Sequence, residues 1–332
     1  MQTLNKSLKT SLLGNGIPLS IALIAPFIFR AIDFPFGMNV SIFIMFFIIS
    51  ASGLDILFGY SGQMSMGHAG FYAIGAYGSA LLASHLNIPV PLTMLIAPIL
   101  AAAVGALLAF PASKLKFHFL ALATIAFNMI IFQLIFQSPG GITGDAIGLR
   151  VQPFEIFGWR LSTMNFQHIY YFLLGFVVLL LIAKTNLVNS RVGRAFIAIR
   201  ENAHAADGMG INVRKYKVIA FAVSAFYVGL AGALFAHTIG WISAEGFAQP
   251  QSVMFVTVLL FGGTASKWGP VVGAIAVQTL DELLRPLANL QMLIYGALLL
   301  LVIVAMPGGI WGTIRDFVMW TVRKVKGGKQ NA

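Results

Sequence analysis

The chain has no cysteine, so it can form neither a disulfide framework nor a thiolate metal site. Charge is scarce: only 9% of its 332 residues are Asp, Glu, Lys or Arg, and acids are the rarer sign, 10 against 21 bases. No GxxxxGK[ST] phosphate loop occurs, which excludes ATP binding of that kind. The six histidines never fall in HxxxH or HExxH spacing, so no zinc hydrolase signature is present. Carboxylates do not pair inside the apolar stretches except at Asp281-Glu282, beside Arg285. An ion-coupled carrier is expected to show buried ionisable groups with partners. Asp55 is the one acid deep in the first half, and its place near a helix end predicts a solvated side chain. No nucleophile–base pair for intramembrane hydrolysis stands out.

What the chain has in abundance is apolar surface: 58% of residues are hydrophobic, and Phe, at 28, leads the aromatics. Long apolar runs recur, and about 20 such residues span a bilayer as a helix. The runs are continuous rather than alternating, which argues against a β-barrel. The fold class is therefore an all-α polytopic membrane protein. Expected crossings are 17–32, 38–58, 68–86, 91–110, 117–137, 168–184, 217–238, 251–264, 270–287 and 290–306. The first run follows Lys6 and Lys9 as a signal peptide would, but no small-x-small cleavage site follows it, so it reads as a retained helix. With both termini in the cytoplasm, 17 of the 21 basic residues fall inside, and Arg30, Arg150, Arg160 and Arg285 fall outside or at the border. That bias is what the positive-inside rule asks of a correct topology, and it reads the +11 net charge as orientation rather than as nucleic-acid binding. The whole chain, 1–332, is read as one transmembrane domain: six helices over 17–184, a cytoplasmic loop at 185–216, four helices over 217–306 and a basic tail at 307–332.

The central interval from Lys184 to Lys217 is the longest polar stretch, with seven bases and two acids. Phe196, Ile199, Ala203 and Ala206 fall on one helical face, opposite Arg200, Glu201, His204 and Asp207. Gly208 and Gly210 then stop the helix. One amphipathic helix over 194–207 is expected at the membrane surface, either floating among lipid headgroups or gripped by a soluble partner. On the other side of the membrane, Ser138–Gln167 is long for an idle connection. It is read as a flap over helix ends or a landing platform, which the loop Ile239–Pro250 could join.

Three ladders of small residues, Ala97/Ala101/Gly105/Ala109, Ala225/Gly229/Ala233 and Gly75/Ser79/Ala83, predict close helix packing in lipid. The run from Gly59 to Gly70 holds four glycines in twelve residues, with Gln63, Ser65 and His68 among them, and cannot be a stable helix interior. It is either a cytoplasmic turn or a helix break at membrane depth, of the kind transporters use for binding and gating. For His68, capping after Gly67 competes with a role in a solute path; for Asn128 and Gln133, interhelical hydrogen bonding competes with it.

Four stretches, in order, carry a resemblance: GYSGQMSMGHAGFYAIGAYGSALL (59–82), GRAFIAIRENAHAADGMGINVRKYKVIAFAVSAFYVGLAGAL (193–234), LLFGGTASKWGPVVGA (259–274) and LIYGALLLLVIVAMPGGIWG (293–312). They resemble the permease subunits of branched-chain amino-acid ABC importers, over about residues 38–315. The resemblance implies a bacterial inner-membrane subunit without its own ATPase site and without a cofactor. It also implies a second related permease subunit, two cytoplasmic ATP-binding subunits and an extracytoplasmic solute-binding protein as partners. Glu201, Ala205, Ala206 and Gly210 then stand where such permeases carry an EAA-like coupling loop, although the Leu-Pro ending of that motif is missing. Arg194, Phe196, Ile199, Arg200 and Gly208 complete the expected coupling element. Gln63, Ser65, His68 and Asn128 are the expected solute-path residues. The solute stays open among branched-chain amino acids, other small amino acids, urea and amides. The rival classes are a stand-alone secondary carrier and a membrane enzyme.

Overall fold

The computed structural model describes residues 35–113, 117–145, 147–156, 159–160, 166–285, 288–306 and 308–316. The expected first crossing, 17–32, and most of the basic tail lie outside them. The chain is an all-α membrane protein. Its long helices are α1 (Pro35–Leu54), α2 (His68–His85), α3 (Val90–Ala112), α4 (Phe117–Gln137), α5 (Phe166–Asn189), α8 (Val213–Ile239), α9 (Gln249–Gly262), α10 (Gly269–Leu284) and α11 (Ala288–Ala305). Between α5 and α8 lie two short ones, α6 (Arg191–Glu201) and α7 (Ala203–Gly208). Each of the nine other expected runs coincides with one of these helices apart from a few residues at its ends. Five helical segments are long and apolar enough to cross a membrane: 37–60, 90–112, 118–137, 166–189 and 213–239.

The bundle is organised around α8. Its most apolar window is 67% buried, against 28% for α4 and α5, which places α8 inside and those two at the rim. The small-residue ladders explain how neighbours approach it. A Cβ at Gly75 in α2 would fall on the Gly229 carbonyl of α8, and one at Gly229 would meet Ala101 of α3. A Cβ at Gly105 of α3 would meet Ala225 of α8. The three ladders therefore mesh with one another, and dispersion between close backbones supplies attraction that lipid does not. Aromatic rings fill the wider gaps: Tyr72 lies within 5.6 Å of Phe235, Phe247 and Phe255, centroid to centroid.

Two helices begin part-way along α8. α8 is 27 residues, roughly 40 Å, long. The His68 ring, at the start of α2, bonds Ser224, about 16 Å into α8. The α9 start is at the same level, since the Ala69 N–H donates to Ser252 Oγ (2.8 Å). From there α2 runs toward the C-terminal end of α8, where Ser79 meets His237 (2.8 Å). α9 runs the other way, toward Ala265 and the end of α1. The chain reaches these starting points through irregular backbone at 61–67 and through a short strand and a 3-10 turn within 240–248.

The two long loops expected on the outer side are joined. β1 (Leu149–Arg150) pairs antiparallel with β4 (Trp241–Ile242), with Leu149 opposite Ile242. β2 (Glu155–Ile156) and β3 (Trp159–Arg160) form a second short ribbon. The long loop thus ties down onto the α8 end.

The polar interval differs from the single helix expected over 194–207. Asn202 adopts extended angles (φ −158°, ψ 106°), ends α6, and caps α7 by accepting from the Ala205 N–H (3.0 Å). An Asn side chain competes for backbone donors and favours caps over helix interiors. The stop is where the glycines placed it. Gly210 (φ +83°) is left-handed, the Ile211 N–H reaches the Ala206 carbonyl and the Gly210 N–H that of Asp207, a Schellman ending.

Candidate functional site

The junction between α1 and α2 gathers many of the polar side chains buried in the bundle. α1 runs on through a π-helical turn, Asp55–Tyr60, and the backbone then unwinds until His68. Wide π turns and unwound backbone are tolerated at membrane depth only where protein satisfies their polar groups. Here it does. The Met66 N–H donates to Thr124 Oγ1 of α4 (3.0 Å), and the Met66 carbonyl accepts from Gln249 Nε2 of α9 (2.9 Å). The Gly59 carbonyl accepts from the Arg200 guanidinium of α6. Of the two readings open for this stretch, the break inside the bundle describes what is observed.

The expected path residues occupy this junction. Gln63 Nε2 donates to Ser61 Oγ (2.6 Å) and to the Lys217 carbonyl (3.3 Å). His68 has both ring nitrogens engaged, Nδ1 with Ser65 Oγ (2.9 Å) and Nε2 with Ser224 Oγ (2.7 Å). It makes no capping bond; Gly67 holds the cap position without one. Asn128 donates from Nδ2 to Gln249 Oε1 (2.9 Å), an interhelical bond, while its buried Oδ1 has no partner among the described residues. Ser224, Gln249 and Ser252 complete the junction; Ser224 is a single polar residue in an apolar helix, and Gln249 and Ser252 stand in the polar opening of α9, QPQS, which the sequence offered no reason to join to His68.

Asp55 overturns its expectation. It is fully buried, not solvated, and its Oδ2 pairs with Lys184 Nζ at 2.7 Å. Its Oδ1 accepts from the Ala265 N–H (2.7 Å), and Lys184 donates further to the Ser266 carbonyl (3.1 Å). Lys184 therefore belongs to the bundle rather than to the solvated basic loop. Neither charge could stay buried alone; paired and hydrogen-bonded, they hold the ends of α1 and α5 to the loop 263–268. On that loop, partial burial pushes the Lys267 ammonium below the usual lysine value. No signal short of the fold joins residues 129 apart.

The expected coupling residues lie on α6 and α7, outside this junction but tied to it. Phe196, Ile199 and Ala206 are buried and anchor the pair of helices. Arg194, Arg200, Glu201, Ala205, Gly208 and Gly210 are on the open side, with the apolar Ile197 and Met209 (83% exposed) among them. Arg200 bridges the two regions through the Gly59 carbonyl, and Gly62 packs against its stem. Gly193 makes the sharp turn from α5 possible, since a Cβ there would strike Val188. Among the described residues no cluster of His, Cys, Asp or Glu could hold a metal ion.

Comparison with known proteins settles the family. Residues 37–303 match the family model of the permease component of branched-chain amino acid transport systems. The chain belongs to that family. It is 32% identical over 295 residues to the high-affinity branched-chain amino acid transport system permease protein LivM of Escherichia coli (strain K12), covering 82% of this chain and 69% of LivM. LivM of Salmonella typhimurium is 30% identical over 307 residues, covering 84% and 72%. The guanosine ABC transporter permease protein NupQ of Bacillus subtilis (strain 168) is 28% identical over 229 residues, 64% of this chain and 69% of that protein. No solved structure matches. With its apolar helices, the family makes this chain a multi-pass inner-membrane protein.

Proposed function

We propose that this chain is the membrane-spanning permease subunit of an ATP-driven importer for branched-chain or chemically related small amino acids. It pairs with a second, related permease subunit. Two cytoplasmic ATP-binding subunits supply the work, and an extracytoplasmic binding protein delivers the solute. The chain crosses the membrane ten times with both termini in the cytoplasm and hydrolyses no ATP itself. The observation that carries the reading is the match to the branched-chain permease family across 37–303. The α6–α7 pair supports the division of labour: it offers exposed Ile197, Glu201, Ala205 and Met209 on a foot whose inner face is fixed in the bundle. Force on that foot reaches the α1–α2 junction through Arg200 and Gly59. A ligand or partner can bias two arrangements of a bundle only by binding them unequally. Gln63, Ser65, His68 and Asn128 brace the α1–α2 junction at the centre of the bundle.

The test is reconstitution with the ATP-binding subunits, the second permease and the binding protein. Uptake of radiolabelled leucine, isoleucine or valine that needs ATP is expected. In the same vesicles Glu201→Lys and Gly210→Val should uncouple solute-stimulated ATPase activity; unchanged coupling and assembly in both would remove α6–α7 from the role. A nucleoside cargo is the second reading, favoured by the similarity to the guanosine permease, and competition of leucine uptake by guanosine decides between them.

A further inference from the structure

A cleft of about 440 Å³ opens between α1, α9 and α10. Its walls include Phe43, Phe47 and Met254, yet its polar lining is unusual for helices this apolar. Asn39 of α1, Gln251 of α9 and Gln278 of α10 all face it. Gln278 is 8% exposed, and among the described residues its carboxamide has no hydrogen-bond partner; the exposed Asn39 and the partly buried Gln251 show no side-chain hydrogen bond either. A carboxamide carries two donors and an acceptor oxygen, and leaving it unpaired in an apolar surrounding is costly. The cost is avoided when the space in front of it holds water or a polar solute. Gln278, Asp281, Glu282 and Arg285 stand at i, i+3, i+4 and i+7, so one face of α10 presents them together. Glu282 and Arg285 also pair at 3.2 Å. At its inner end the cleft reaches the first turn of α9, a 14-residue helix whose N-terminus lies half-way along α8. The positive end of the helix dipole lies there.

We infer that this cleft, rather than the closed junction around His68, is the face of the subunit that a solute touches, and that it takes a small zwitterion. The inference rests on the importer reading and assigns its path. The acidic edge at Asp281 and Glu282 suits an ammonium group. The α9 N-terminus and the carboxamides of Gln251 and Gln278 suit a carboxylate, and Phe43, Phe47 and Met254 suit an aliphatic side chain. Each contact is single and partly open to water, as a step in passage requires.

The absence of cysteine makes the test direct. Single cysteines are placed at Gln251, Gln278, Asn128 and Leu107, exposed on the apolar outer face of α3, and the assembled importer is treated in vesicles with a membrane-impermeant thiol reagent. Cysteines at 251 and 278 should react at least tenfold faster than those at 128 and 107. Leucine with its binding protein and ATP should slow the reaction at 251 and 278, and labelling there should block leucine uptake while ATPase activity survives. Equal, slow labelling at all four positions would overturn the inference. So would labelling of 251 and 278 in the isolated chain but not in the complex, since the second permease subunit would then fill the cleft. If the unmodified importer moves no leucine at all, the importer reading has failed instead, and the labelling pattern still reports whether the cleft is wet.

Discussion

Two polar regions lie inside this bundle, and they are built on opposite terms. Around the α1–α2 break nearly every polar group has a protein partner: Asp55 with Lys184, His68 with Ser65 and Ser224, Gln63 with Ser61 and the Lys217 carbonyl, Gln249 with Met66 and Asn128. In the cleft between α1, α9 and α10 the carboxamides face space instead. Where water is scarce, a paired polar group holds structure and an unpaired one marks a place where something polar comes and goes. The first region should therefore respond to substitution by losing stability, and the second by losing transport.

The largest stability effect is expected at Asp55. Asp55→Ala strands the Lys184 ammonium in the bundle and should cost about 3–5 kcal/mol, seen as a fall in the detergent unfolding midpoint. The double change Asp55→Leu with Lys184→Met should recover most of that loss, because no charge is left unpaired. Gly75→Val comes next: its side chain must displace the Gly229 backbone, and overpacking of this kind costs about 1–3 kcal/mol or more. Ser224→Ala leaves one His68 ring nitrogen without its partner and should cost about 1–3 kcal/mol. Asn202→Ala removes the α7 cap for about 1 kcal/mol, read locally as faster amide exchange at Ala205 rather than as global unfolding. Smallest of all, Gln278→Leu should leave the unfolding midpoint unchanged or slightly raised while leucine uptake falls. A loss of stability there like that of Ser224→Ala would erase the distinction between the two regions.

The sequence showed where the helices are because apolar runs and polar gaps alternate along it; α4 at 117–137 falls where it was expected. It showed that α2, α3 and α8 pack closely, because small residues recur every fourth position, but not which ladder meets which. It did not show that α2 and α9 start at the middle of α8, since apolarity is the same for a half-length and a full-length helix. The Asp55–Lys184 pair was hidden by the distance between them along the chain, and each charge alone resembled a solvated helix end. The break at Asn202 was legible in principle: Asn followed three residues later by a free N–H is a cap signal, which the amphipathic face over 194–207 outweighed. The cleft was legible too, in the spacing of Gln278, Asp281, Glu282 and Arg285, but only with α1 and α9 in place does that face acquire a space to line.

The most direct test of the account is leucine accumulation by purified importer in sealed vesicles, with and without its ATP-binding subunits. Accumulation against a gradient that vanishes when those subunits are omitted, or when their ATP is withheld, is the predicted result. Concentrative uptake by this chain alone, driven by an ion gradient, would contradict it.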